Sequence, residues 1–153
     1  MKKLLALLLV VTTLFAFVAC NQNESVVKGT VTVVEYVEGG TDKEYVVDLS
    51  KANEPQSVFD VLKYLNEEKN VTLTYTESPT MGAYVTAFGD LREKSNEGLY
   101  ISFWTSVEED WDVSVFASEK TYKGTKLVSS IAGFSSAKLE DGAIFYIGTI
   151  EYK

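Results

Sequence analysis

Ser57-Val58-Phe59-Asp60-Val61-Leu62-Lys63-Tyr64-Leu65-Asn66-Glu67-Glu68 is the one stretch of this chain that reads as a helix. Val58, Val61, Leu62 and Leu65 recur at i, i+3, i+4 and i+7 and form a single apolar stripe, with Phe59 beside it to widen the buried face. Ser57 is placed to cap the first turn. Asp60 stands three residues on, where the acid of a capping box belongs. Asn70 ends the segment. On both sides of it the chain carries strand patterns, so the fold class is α+β, a mixed sheet covered by one main helix.

Before the helix, Val26 to Val37 reads as a long strand. Val31, Val33 and Glu35 fall on one face, Thr32, Val34 and Tyr36 on the other. Glu38-Gly39-Gly40-Thr41-Asp42 supplies a turn, and Glu44 to Leu49 returns as the second strand of a hairpin. After the helix, Val71 to Thr76 alternates Val71, Leu73 and Tyr75 against threonines, the pattern of a half-buried strand. Further strands are expected at Ala83 to Phe88, Tyr100 to Val107, Asp112 to Ala117 and Ala143 to Tyr152. Ser95-Asn96-Glu97-Gly98, Glu108-Glu109-Asp110 and Glu140-Asp141-Gly142 read as turns between them. Tyr122-Lys123-Gly124 reads as a turn inside Lys120 to Ser136, which has no clean period. The order, ββαβ followed by more strands, gives a β-grasp-like layout with extra β-hairpins.

The N-terminus has a separate logic. Lys2 and Lys3 precede an apolar run from Leu4 to Val18, broken only by Thr12 and Thr13, and Phe17-Val18-Ala19-Cys20 closes it. A charged start, a short apolar run and a small residue at its end are the parts of a secretory signal peptide. The run falls short of the ~20 residues that span a bilayer, and polar residues follow it at once. With a cysteine at the cleavage point it resembles a bacterial lipobox, whose cysteine is diacylated and becomes the mature N-terminus. The expected organisation is a signal peptide over 1–19, a lipidated Cys20 with its tether over 20–27, and a single domain over 28–153. The protein is then held by lipid on the extracytoplasmic face of the cell membrane.

Charge and composition exclude several functions. Loss of residues 1–19 removes two lysines and leaves 12 basic against 22 acidic side chains, a net charge of −10. A surface of that sign repels nucleic acid, so no nucleic-acid partner is expected. The chain has no histidine, and its one cysteine is Cys20. Ser-His-Asp and Cys-His catalysis and histidine-metal sites are therefore impossible. No pattern singles out a carboxylate pair, and the chain does not read as an enzyme. Glu108-Glu109-Asp110-Trp111-Asp112 lacks the alternating acids and central glycine of a calcium loop, and reads as a solvated turn. Neither a metal nor a cofactor is indicated.

Aromatic residues are the functional lead. Tyr84, Phe88, Tyr100, Phe103, Trp104, Trp111, Phe116 and Tyr122 concentrate in the second half of the chain. Within the strand at Tyr100, Tyr100, Ser102 and Trp104 share one face, and Ile101, Phe103 and Thr105 the other. One helix covers one face of a sheet, so the second face either shows its aromatics outward or is buried by loops. The candidate ligand-binding residues are Tyr100, Trp104, Trp111 and Tyr122.

Four motifs, in order, resemble the transcobalamin-like C-terminal domain family, a domain of unknown function in bacteria. They are Ser57 to Leu62, Met81 to Gly89 (Met-Gly-Ala-Tyr-Val-Thr-Ala-Phe-Gly), Tyr100-Ile101-Ser102-Phe103-Trp104, and Leu139-Glu140-Asp141-Gly142-Ala143-Ile144-Phe145-Tyr146. Ala143 departs from that family's second acid. The resemblance implies a β-grasp-like domain, commonly on a surface lipoprotein in bacteria, and one of two domains enclosing the corrinoid in animal cobalamin carriers. Two functions follow. The first is capture of a small, partly apolar ligand, corrinoid-like or otherwise, for delivery to a membrane transporter. The second is a lipid-anchored protein-protein interaction or adhesion module of a surface assembly.

Overall fold

The computed structural model describes residues 27–37 and 39–151. Cys20, the signal segment and the tether up to residue 26 lie outside the described residues. The elements are β1 (Thr30–Glu35), β2 (Lys43–Asp48), α1 (Val58–Lys69), β3 (Leu73–Ser78), β4 (Gly82–Phe88), β5 (Leu91–Arg92), β6 (Leu99–Thr105), β7 (Glu119–Tyr122), β8 (Thr125–Ser129) and β9 (Ile144–Glu151). Short 3-10 turns stand at Leu49–Lys51, Ser95–Glu97 and Glu108–Asp110.

The helix forms for the reasons its sequence gives. The Asp60 amide donates to Ser57 Oγ at 3.4 Å, and the Ser57 amide donates back to the Asp60 carboxylate at 3.1 Å, which completes the capping box. At the other end Asn70 takes a left-handed conformation, φ 54°, that asparagine tolerates better than most residues.

Six strands form one sheet in the order β2-β1-β9-β6-β8-β7. All neighbours are antiparallel except β1 and β9, which run parallel with Val33 opposite Phe145. A first hairpin beside a parallel final strand is the β-grasp-like layout. A smaller antiparallel sheet, β3-β4-β5, is separate from it. Val31, Val33, Ile101, Phe103, Phe145 and Ile147 of the large sheet bury against Val58, Val61, Leu62 and Leu65 of α1 and against Val85 and Phe88 of β4. Val27, at the end of the expected tether, packs against this core.

Glu35 ties the two sheets together. Its fully buried carboxylate accepts from the Asp90 amide at 2.6 Å and from Tyr45 Oη at 3.0 Å. Gly89, at φ +55°, lets the turn from β4 to β5 reach it, since a Cβ there would run into the Glu35 carboxylate.

Three expectations are corrected. Asp112 to Ala117 is a loop, not a strand. Trp111 pairs with Ser130, the Asp112 amide takes Ser129 O at 2.8 Å, and the Ser129 amide goes to Ser118 O. The ladder beside β8 is thus used at both ends of the segment, and the chain between must leave it. Asp112 Oδ1 then accepts the Ser114 amide at 2.8 Å and Ser114 Oγ the Phe116 amide at 3.2 Å, local bonds that compete with pairing. The loop holds Val113, Val115 and Phe116 outward, 91%, 93% and 87% exposed. The strand at Val71 to Thr76 begins later, at Leu73, and is largely exposed, although Tyr75 meets Phe59 edge-on with ring centroids 4.7 Å apart. The acidic turn is only partly solvated: Asp110 is buried and its Oδ2 accepts the Lys138 amide at 2.7 Å.

Candidate functional site

The sheet face turned away from α1 carries a second core. Val34, Trp104, Leu127 and Tyr146 are buried there, with Tyr36, Tyr122 and Ile144 packed around them. The sheet curls strongly enough for its two edge strands to meet. Tyr122 Oη donates to Glu44 Oε2 at 2.8 Å, and Lys123 Nζ pairs with the same oxygen at 2.5 Å. Tyr146 Oη donates to Asp42 at 2.9 Å beneath that clasp. Burial first, and the Asp42 bond second, push the Tyr146 phenol well above the ordinary tyrosine range.

Trp104 is 5% exposed. Its Nε1 donates to Ser118 Oγ at 2.7 Å, and Lys120 Nζ sits 4.4 Å from its ring centre. Trp104 and Tyr122 are brought together around the Tyr146 ring, at centroid distances of 6.4 and 5.6 Å. Trp111 stands elsewhere, folded back so that Nε1 donates to Thr105 O at 2.8 Å. Tyr100 belongs to neither group.

Tyr100 lines a groove at the open edge of β6. β8 pairs with β6 only at Trp104 and Thr105, so the first part of β6 has an open edge beside β4. A hollow of about 460 Å³ lies there, walled by β4, β6 and the segment 130–134. Val85, Ile101, Phe103 and Phe134 give it an apolar lining, and Met81, 82% exposed, stands at its rim. A second hollow of about 480 Å³, lined by Tyr84, Tyr100, Ile101, Ser102 and Ile150, shares Tyr84, Ile101 and Ser102 with the first. We describe the two, which adjoin at these shared residues along the open edge of β6, as lobes of one groove.

The walls are held from behind. The Ala83 amide donates to Ser135 Oγ at 2.8 Å, the Phe59 amide to Phe134 O at 2.8 Å, and the Phe103 and Phe134 rings pack at 4.7 Å. Burial first, and the Glu93 carboxylate beside it second, push the Tyr84 phenol up to about 12. The phenol is a neutral hydroxyl at any physiological pH.

Of the groove residues, Tyr84 stands among the sequence aromatics, and Ile101 and Phe103 share one face of their strand. Met81 and Phe134 carried no signal that set them apart. A polar hollow of about 400 Å³ beside α1, lined by Lys51, Glu54, Asp60, Lys63, Glu67 and Glu68 among others, mixes both charges. Among the described residues no cluster of three side chains could hold a metal ion.

Comparison with known proteins extends to the fold alone. No family model and no curated protein matches this chain. Solved structures do. A protein of Ruminococcus gnavus, described as a candidate metal-binding protein, aligns with a TM-score of 0.53 at 13% identity, over 82% of this chain and 100% of that one. Haptocorrin, solved in complex with Cbi, aligns with a TM-score of 0.53 at 13% identity, over 88% of this chain but 28% of its own length. The chain shares their fold.

Proposed function

We propose that this chain is a ligand-binding domain that captures a small, partly apolar molecule in the groove between β4 and β6. The groove itself carries the reading: a two-lobed apolar hollow of several hundred cubic ångströms, walled by anchored strands, has the size and lining of small-molecule sites. The fold shared with haptocorrin supports a ligand of corrinoid type as one test case. Binding without catalysis fits a chain that lacks histidine. In this account Cys20 carries lipid, the domain sits on the extracytoplasmic face of the membrane, and the captured ligand passes to a membrane transporter. Replacing Cys20 by alanine should then release the protein from the membrane fraction.

The test is native mass spectrometry of the chain from Asn21 onward, after incubation in growth medium and cell extract, with added cobalamin as a defined probe. A retained small molecule that is lost in Ser102→Trp, a substitution at the junction of the two lobes, supports the reading. A clean unliganded mass throughout refutes it.

A second reading has its own observation. Val113, Val115 and Phe116 are held almost fully exposed on an internally bonded loop, and exposed apolar groups of this kind mark protein contacts. In that reading the domain is a lipid-anchored interaction module. Loss of partner binding in Phe116→Ser, with the groove variant unaffected, would favour it.

A further inference from the structure

The chemistry of the groove narrows its ligand, an inference that rests on the ligand-binding reading above. Among the described residues neither lobe is lined by a charged side chain, in a chain of which 24% of residues are charged. Glu93, beside Tyr84, lines neither. The side-chain polar groups that line them are the hydroxyls of Thr76, Ser78, Ser102, Ser130, Tyr84 and Tyr100, and Ser130 Oγ is already bonded to Asp110 O and Ala132 O. An ion seated here would leave water with no charged side chain on either lining to meet it, an unfavourable exchange.

The backbone adds a specific feature. The Ser130 amide donates to Phe103 O at 3.1 Å, so the peptide groups of Phe103 point away from β9. Alternation along the strand turns those of Ile101 and Leu99 the same way. Leu99 is met on that side by Lys94, through bonds of 3.0 and 3.1 Å in both directions. Phe103 is met by Ser130. Ile101 lies between them, at the groove, and among the described residues no strand stands opposite it on that side. Its N–H and C=O therefore face the ligand space as one donor and one acceptor, side by side as in a strand awaiting its neighbour. A primary carboxamide presents the complementary pair, a C=O and an N–H on adjacent atoms.

We propose that the groove takes an uncharged ligand bearing a carboxamide, which seats on the Ile101 N–H and C=O while its apolar body lies on Val85, Phe103 and Phe134. The carboxamide exchanges two neutral hydrogen bonds with the strand edge and brings no charge into the hollow.

Four eight-carbon probes test this: octanamide, octanoate, octylamine and methyl octanoate. They are titrated into the chain from Asn21 onward, which holds every described strand, the helix and both cores, with the backbone amides followed by NMR. Octanamide is expected to bind at least about tenfold more tightly than each of the others, to shift the Ile101 amide signal downfield, and to lose its binding in Ser102→Trp. Octanoate or octylamine matching octanamide, or octanamide binding with the Ile101 signal unmoved, overturns the proposal and leaves the groove as a ligand site. Binding by none of the four overturns the proposal and the groove reading together.

Discussion

Replacing Glu35 by glutamine should destabilise the fold by about 3 kcal/mol. The carboxylate is fully buried and accepts two short bonds, 2.6 Å from the Asp90 amide and 3.0 Å from Tyr45 Oη. Glutamine keeps the shape: its Oε1 still accepts from the Asp90 amide, and its NH2 donates to Tyr45 Oη, a hydroxyl that accepts as well as donates. Both bonds lose their charge assistance, about 1 kcal/mol each, and the second N–H of the buried NH2, set where the carboxylate offered only lone pairs, costs about 1 kcal/mol more. Lys43, at 3.5 Å and partly exposed, contributes little to that sum. For a domain of this size the loss corresponds to a fall in Tm of about 10 °C. Urea unfolding followed by tryptophan fluorescence measures it directly, with Tyr45→Phe as the control that removes one donor and costs about 1 kcal/mol. The double variant should lose less than the sum of the two, because both act on one carboxylate. Asp90 lies in the turn after β4, so amide exchange in residues 82–92 should also quicken in Glu35→Gln. A loss below about 0.5 kcal/mol, well under the cost of one unsatisfied buried donor, would refute the role given to this carboxylate.

Further expectations concern both cores and the loop. Trp104→Phe removes the bond to Ser118 Oγ and weakens the contact with Lys120; thermal unfolding should show a loss of about 1–2 kcal/mol. Phe116→Ser should leave stability within about 0.5 kcal/mol of the parent by the same assay, because the ring is 87% exposed. Glu44 is held below the ordinary carboxylate value of 4.5 by its bond from Lys123 and then by that from Tyr122. A carboxylate lowered in the folded state stabilises it above that ordinary value and loses the contribution as pH falls through the folded one. Between pH 6 and pH 3 the Tm of Glu44→Gln should therefore fall less than that of the parent. Tyr84 should ionise near pH 12, and in an ultraviolet titration Tyr84→Phe should remove one phenol from the high-pH rise while that of Tyr146 remains.

The helix and most strands were legible because each rests on local chemistry. Ser57 and Asp60 cap α1, Asn70 closes it, and the Gly39-Gly40 hairpin stands where the strands around it require. The Asp112 to Ala117 segment misled because Val113 and Val115 alternate like a strand. What decides that segment is non-local, namely the use of both Ser129 peptide groups by Asp112 and Ser118. The groove was illegible for a similar reason. Its walls come from residues far apart in the chain, Ala83, Ile101 and Phe134, and its opening depends on where β8 stops pairing with β6. Trp104 is set by the sequence on one face of its strand with Tyr100 and Ser102, and which face the helix covers is left open. Its burial follows from the curl that joins Tyr122 to Glu44, a bond across 78 residues of sequence that no periodicity reports.

The central claim is that the groove between β4 and β6 holds the ligand. Calorimetric titration of a species retained from extract, against the parent, Ser102→Trp and Phe116→Ser, tests it most directly. Affinity should be at least about tenfold weaker in Ser102→Trp, whose indole would fill part of the groove, and unchanged in Phe116→Ser. Undiminished affinity in Ser102→Trp, or a loss confined to Phe116→Ser, would contradict it and move binding to the exposed loop.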